Sequence, residues 1–306
     1  MSFKILFMGT PEFAVPILEA IHKSDNKILE IYTQPAKKKD RGQKIQNSPI
    51  YNCAKKLNLL IRCPISLANS EELNHIKKLK PDVVVVVAYG QILPVDFLNL
   101  DQVHFLNVHT SLLPKWRGAA PIQRAIMNMD EETGVSVMKI VEKLDAGPVL
   151  LKSKVKINKE SNYEKKKKKM STMSAKLILD ALDLIKSGDA KFIPQNENEA
   201  TYAKKINKKE SKITWNEDAD KIIAKINALN PSPGSWFDFF GSRIKIIKAK
   251  EVNIKGHPGL ILNENFTIAC SKNAIQILEL QKEGKKKITT QEFLRGNKIE
   301  TGITLS

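Results

Sequence analysis

Residues 83–88 read Val-Val-Val-Val-Val-Ala, an apolar, β-branched run with no polar residue alternating through it. A strand with one wet face alternates apolar and polar side chains, so this one must be covered on both faces, as in a parallel sheet sandwiched by helices. The neighbouring segments meet that demand. Residues 3–8 read as a buried strand ending at Gly9. Thr10 is placed to cap a helix opened by Pro11 and Glu12, with Phe13, Ile17, Leu18 and Ile21 as its apolar stripe. Strand character returns at 28–32, 105–108 and 135–141, and helical character at 67–80 and 121–129. This alternation predicts an α/β fold with a mainly parallel, doubly wound sheet, whose ligands lie beyond the carboxyl ends of its strands.

After a long amphipathic segment, 170–185, the pattern changes. A polar stretch, 188–200, leads to a short helix over 219–229 and then to short β runs at 235–240, 243–249, 259–262, 266–269 and 274–280. Short strands punctuated by Gly and Asn predict a small β-barrel or sandwich. With 306 residues, two domains are expected: 1–189 as a catalytic domain, 190–206 as a linker and 207–306 as the β domain. The net charge of +17 predicts attraction to polyanions, although a generally lysine-rich surface accounts for the total equally well. Its distribution is more telling. From Ala200 onward 19 basic and 11 acidic residues leave +8 over 107 residues, a higher density than in the preceding 199. The five lysines at 165–169 read as a solvated face. Cys53, Cys63 and Cys270 have no metal-ligand spacing and suit a reducing, cytoplasmic compartment. No apolar run is long enough to span a bilayer, so no membrane association is expected.

The densest chemical signal is the run 107–121, Asn-Val-His-Thr-Ser-Leu-Leu-Pro-Lys-Trp-Arg-Gly-Ala-Ala-Pro. Period two places Asn107 and His109 on one face at a strand's carboxyl end, an amide donor and an imidazole suited to a developing oxyanion. Asp145, in Leu-Asp-Ala-Gly-Pro, reads alone as a turn residue. Brought against His109, it would orient that ring and favour its protonated form. Gly9-Thr10-Pro11-Glu12 lacks the later glycines of a dinucleotide fingerprint, and there is no Walker sequence, so no nucleotide cofactor is expected. In the loop 34–49, Lys37, Lys38 and Lys39 read as solvated, whereas Gly42 lets the backbone at Arg41 approach a phosphate or base closely.

Taken together, Gly9-Thr10-Pro11-Glu12-Phe13-Ala14, Thr33-Gln34-Pro35, Arg41-Gly42, the run 107–121, Leu144-Asp145-Ala146-Gly147-Pro148 and Asn230-Pro231-Ser232-Pro233-Gly234 resemble the methionyl-tRNA formyltransferase family, in order and along nearly the whole chain. The resemblance implies a Rossmann-like domain followed by an OB-like β-barrel that grips transfer RNA. It implies transfer of a formyl group from 10-formyltetrahydrofolate to the α-amine of initiator methionyl-tRNA, releasing tetrahydrofolate, by a monomer that needs no metal. It also implies Asn107, His109 and Asp145 as the catalytic trio, Ser111, Leu112, Leu113 and Pro114 along the folate, and Arg41 with Lys44 at the RNA. The chain departs from the family pattern at residues 36–40, where Ala-Lys-Lys-Lys-Asp replaces Asp-Arg-Pro-Ala-Gly, and at Lys143 and Ala146, where the family has Gly and Thr.

Two other readings compete. A related formyltransferase acting on a small amine, such as an amino sugar nucleotide, would use the same trio but has no use for a basic tail. A binding module without catalysis would have no use for an intact trio.

Overall fold

The computed structural model describes residues 2–39 and 44–305. These fall into two compact units: one within Met1–Gly118, Gly134–Val155 and Lys167–Tyr202, the other within Ala119–Thr133, Lys156–Lys166 and Ala203–Ser306.

A seven-stranded sheet organises the first unit, in the order Val149–Lys156, Glu132–Lys139, His104–His109, Val83–Val87, Lys4–Gly9, Lys27–Tyr32, Ile61–Arg62. The last five strands run parallel to one another, and Glu132–Lys139 pairs antiparallel with His104–His109. The valine run is central: all five side chains of Val83–Val87 are buried, each worth roughly 1.5–3 kcal/mol relative to exposure. Parallel neighbours need crossovers, and helices supply them. Val15–Lys23 joins the first two strands. Ser70–Leu79 is capped by the Asn69 side chain, which accepts from the Glu72 amide at 2.9 Å, and its chain exits through Lys80 at φ +48°. The chain builds outward from Lys4–Gly9 to Ile61–Arg62 and then returns to Val83–Val87 on the other side. Between these two strands lies a topological switch point, the usual place for a ligand crevice.

Thr10 does not cap a helix. Its hydroxyl donates to the Tyr89 carbonyl at 2.7 Å, tying together the carboxyl ends of the strands that flank the switch point. A 3-10 turn, Glu12–Ala14, precedes the helix proper. Other boundaries also shift. The lysines at 165–169 lie inside a helix, Tyr163–Ser187, consistent with the good helix propensity of lysine. Val149–Lys156 forms a strand where the pattern suggested none. It is an edge strand whose exposed Lys152, Lys154 and Lys156 alternate with less exposed residues, a pattern that discourages pairing with other chains. Lys37–Lys39 and Lys44–Gln46 pair as an antiparallel ribbon within what was expected to be a loop.

The second unit carries a curled, OB-like antiparallel sheet in the order Trp236–Phe239, Ser242–Val252, Ala274–Lys282, Thr267–Ala269, Ile261–Asn263, with Ile288–Thr289 also on Ala274–Lys282. Ring contacts among Trp215, Phe237, Phe239, Phe266 and Phe293 fill its core, with centroids 5.4–6.4 Å apart. The helix Ala219–Leu229 buries Ala219, Ile222, Ile226 and Leu229, a helical stripe legible in the sequence.

Candidate active site

His104–His109 lies between Val83–Val87 and Glu132–Lys139, with Asn107 opposite Val86 and Met138, and His109 opposite Ser136. The two-residue spacing puts Asn107 and His109 on one face at the carboxyl end of the strand. Asn107 is half-buried, and its side-chain amide makes no hydrogen bond to another described residue. His109 is buried, and its ring nitrogens face two oxygens. Nε2 donates to the Trp116 carbonyl at 2.9 Å, and Nδ1 lies 3.6 Å from Asp145 Oδ2. The second distance is an ion-pair approach rather than a direct hydrogen bond. The same oxygen is fixed by the Gly118 amide, which donates to Oδ2 at 2.8 Å.

The fold therefore brings Asp145 against His109. It does so through a turn in which Asp145 itself sits at φ +49°, in the left-handed region that Asp tolerates better than most residues. Gly147 serves a different purpose. Its φ lies outside the left-handed region, but a Cβ there would run into the Lys139 carbonyl, so only glycine lets the loop lie this close to the neighbouring strand.

Arg117, Gln195 and Glu197 complete the surroundings of the pair. Arg117 is fully buried, and its guanidinium grips Glu197 at 2.8 and 3.1 Å and Gln195 Oε1 at 2.9 and 3.1 Å. The Gln195 amide nitrogen donates to the carbonyls of Asp145, at 2.8 Å, and Gly147, at 2.7 Å. The Arg117 hydrogen bonds, and then those of Lys143, hold the Glu197 carboxyl down to about 2, well below its usual range. Hydrogen bonding to Glu197 likewise raises the Arg117 guanidinium. Arg117 lies within the run 107–121, where nothing in the sequence gives it a role of its own. Gln195 and Glu197 lie in the polar stretch expected to be a linker, and no local pattern distinguishes them there.

The remaining candidates fall in several places. Ser111 is buried and its hydroxyl donates to the Lys115 carbonyl at 2.6 Å. Leu113 packs in a cluster with Met138 and Val149. The side chains of both thus face the protein interior, while Leu112 and Pro114 are partly exposed. Pro114 and Gln195 line a cavity of about 420 Å³ with Val149, Leu150 and Ile193. Asn107, His109 and Asp145 are not part of that lining. Lys44 is exposed on the lysine ribbon. Arg41 lies outside the described residues. No helix among the described residues is long and apolar enough to cross a membrane.

Two family models match the chain: "Formyl transferase" over residues 3–182 and "Formyl transferase, C-terminal domain" over 205–298. A methionyl-tRNA formyltransferase of Pelagibacter ubique is 47% identical over 308 residues, covering 100% of this chain and 99% of its own. Among solved structures, the sugar 3N-formyl transferase WlaRD aligns with a TM-score of 0.69 and 20% identity, over 94% of this chain and 100% of that one. HypX from Aquifex aeolicus, in complex with tetrahydrofolic acid, aligns with a TM-score of 0.64 and 17% identity. That alignment covers 99% of this chain and 51% of HypX, so the chain spans about half of that protein. At such identities the structural likeness establishes the fold alone.

Proposed function

Because the chain belongs to the methionyl-tRNA formyltransferase family, we propose that it transfers a formyl group from 10-formyltetrahydrofolate to the α-amine of initiator methionyl-tRNA, with Asn107, His109 and Asp145 as the catalytic groups. The observation that carries this assignment is the approach of Asp145 to His109, 3.6 Å apart although 36 positions separate them in sequence.

The physical chemistry follows from that placement. A neutral amine attacking a formyl carbon turns its carbonyl oxygen into an oxyanion. Asn107 offers an amide N–H, and His109 offers a ring N–H that Trp116 holds until a stronger acceptor competes for it. Asp145, anchored by the Gly118 amide, keeps the ring oriented through its approach to Nδ1. Collapse of the intermediate breaks the bond between the formyl carbon and N10 of the folate, and the proton given up by the attacking amine passes, by way of the His109–Asp145 pair or solvent, to that nitrogen, so tetrahydrofolate leaves as the neutral amine. The folate, a co-substrate, lies along residues 111–114. Leu112 and Pro114 contribute side chains there, and Ser111 and Leu113 support the loop from beneath. Arg41 and Lys44 meet the phosphates of the RNA, as does the basic tail. Three unpaired thiols suit a cytoplasmic protein, and a monomer suffices because every proposed catalytic group comes from one chain.

The experiment is incubation of purified protein with 10-formyltetrahydrofolate and charged initiator tRNA, read by acid gel or mass. A formylmethionyl product is expected. Formylation of amino sugar nucleotides with no action on the charged RNA would establish the rival reading instead.

A further inference from the structure

Arg117 is the residue between the two backbone groups that hold the catalytic pair: the Trp116 carbonyl on His109 and the Gly118 amide on Asp145. Its own amide donates to the Thr201 carbonyl at 2.8 Å, and the Trp116 amide donates to the Thr201 hydroxyl at 2.9 Å. Residues 195–201 therefore brace this segment along its length. The side chains then close a circuit. The buried guanidinium presents only donors, so it can face only the oxygen of the Gln195 amide. The Gln195 nitrogen must consequently face the carbonyls of Asp145 and Gly147. A flipped amide would set N–H against guanidinium N–H and oxygen against two carbonyl oxygens, so one orientation alone is tenable. Glu197 holds the guanidinium from its other edge, which keeps Arg117 from turning away.

Resting on the formyl-transfer reading above, we infer that Gln195 is a positioning residue for that reaction: oriented by Arg117, it clamps the turn that carries Asp145 and so sets the carboxylate against His109. The inference assigns a role to a segment whose sequence marks it only as polar. It also explains how Asp145 is kept in a left-handed conformation that most side chains resist. Two hydrogen bonds from one nitrogen reach the turn at Asp145 and Gly147, and the Gly118 amide reaches the carboxylate. Without the first two, only the Gly118 amide on the carboxylate remains of these three contacts.

The test uses the full chain and its two substrates. Gln195→Met keeps the length of the side chain and removes both polar ends. Gln195→Glu keeps acceptors for Arg117 but replaces the donor with an oxygen facing two carbonyls. Each is expected to lower kcat by about 10- to 100-fold, the usual effect of loosening a group that supports or positions a reacting one, with KM for both substrates within about twofold of the native values. The decisive measurement adds Asp145→Asn. If Gln195 acts through Asp145, Gln195→Met should change the single-turnover rate of the Asp145→Asn protein by less than about twofold, a non-additive result. A merely structural role would lower the rate by the same factor in both backgrounds and would overturn the inference. So would native kcat in both single variants, or loss of folding by both, which would make Gln195 a stability residue. Failure of the native protein to formylate charged tRNA would instead refute the functional reading, before any variant is made.

Discussion

Replacing Gly147 with alanine probes how tightly the active-site turn must lie against the sheet. The glycine α-carbon faces the neighbouring strand, where an added methyl would overlap the Lys139 carbonyl oxygen and stand only 2.9 Å from its carbon. The obstacle is backbone that is itself paired, with the Lys139 amide donating to the Pro148 carbonyl at 2.9 Å. A flexible side chain could move aside, but this ladder cannot, so the turn must back away by roughly 1.5 Å or more to reach ordinary van der Waals separation. Asp145 is two residues upstream and Gln195 holds both ends of the intervening segment, so the carboxylate moves with it. A displacement of this size at a positioning group costs about 10²-fold in rate, and the overpacking costs about 1–3 kcal/mol of stability. The assay is steady-state formylation of charged tRNA, alongside a thermal melt. Gly296→Ala is the control, since a Cβ there meets nothing within 4 Å and the residue ends a helix. It should leave kcat unchanged. If Gly147→Ala retains kcat within twofold of native, the argument that this contact sets the position of Asp145 is wrong.

Removing either proposed oxyanion donor should affect chemistry and not RNA binding. Asn107→Ala is expected to lower kcat by about 10²–10³, and His109→Ala to abolish transfer, with tRNA affinity by filter binding unchanged in both. Arg41→Leu should slow formylation of tRNA far more than donor hydrolysis; equal losses in the two assays would remove it from the RNA interface. Native tRNA affinity should fall steeply between about 50 and 200 mM salt, because phosphate contacts release counterions, and a flat titration would leave the basic tail without that role. Glu197 supplies a pH test. Its carboxyl is held down to about 2 from an ordinary 4.5, so its contribution to stability is complete above pH 4.5 and is lost as the pH falls toward 2. The difference in Tm between native protein and Glu197→Gln should therefore shrink from pH 5 to pH 3, and a constant difference would contradict the pairing.

Much of the fold was legible because it rests on local rules. A β-branched run with no alternation has to be covered on both faces, and Val83–Val87 is. The stripe Ala219, Ile222, Ile226 and Leu229 has one helical face, and it is buried. Local rules fail where a residue has a competing partner. Thr10 has the right chemistry for a helix cap, but the Tyr89 carbonyl lies within reach across the switch point and takes its hydroxyl. The strand Val149–Lys156 is not legible locally, because an edge strand carries lysine on its open side and so does not read as apolar.

At the site, the chain's primary structure determined the chemical inventory and half of its placement. Asn107 and His109 share a face because side chains alternate along any extended segment, wherever it packs. What those groups meet was decided elsewhere. Asp145 and Gly118 are 27 positions apart, and Arg117 and Gln195 are 78 apart. Hydrogen bonds, in contrast to backbone propensities, act over about 3 Å of space and carry no trace of sequence separation. An aspartate in a glycine turn, and a glutamine in a polar stretch, acquire their partners only when the sheet has closed around them.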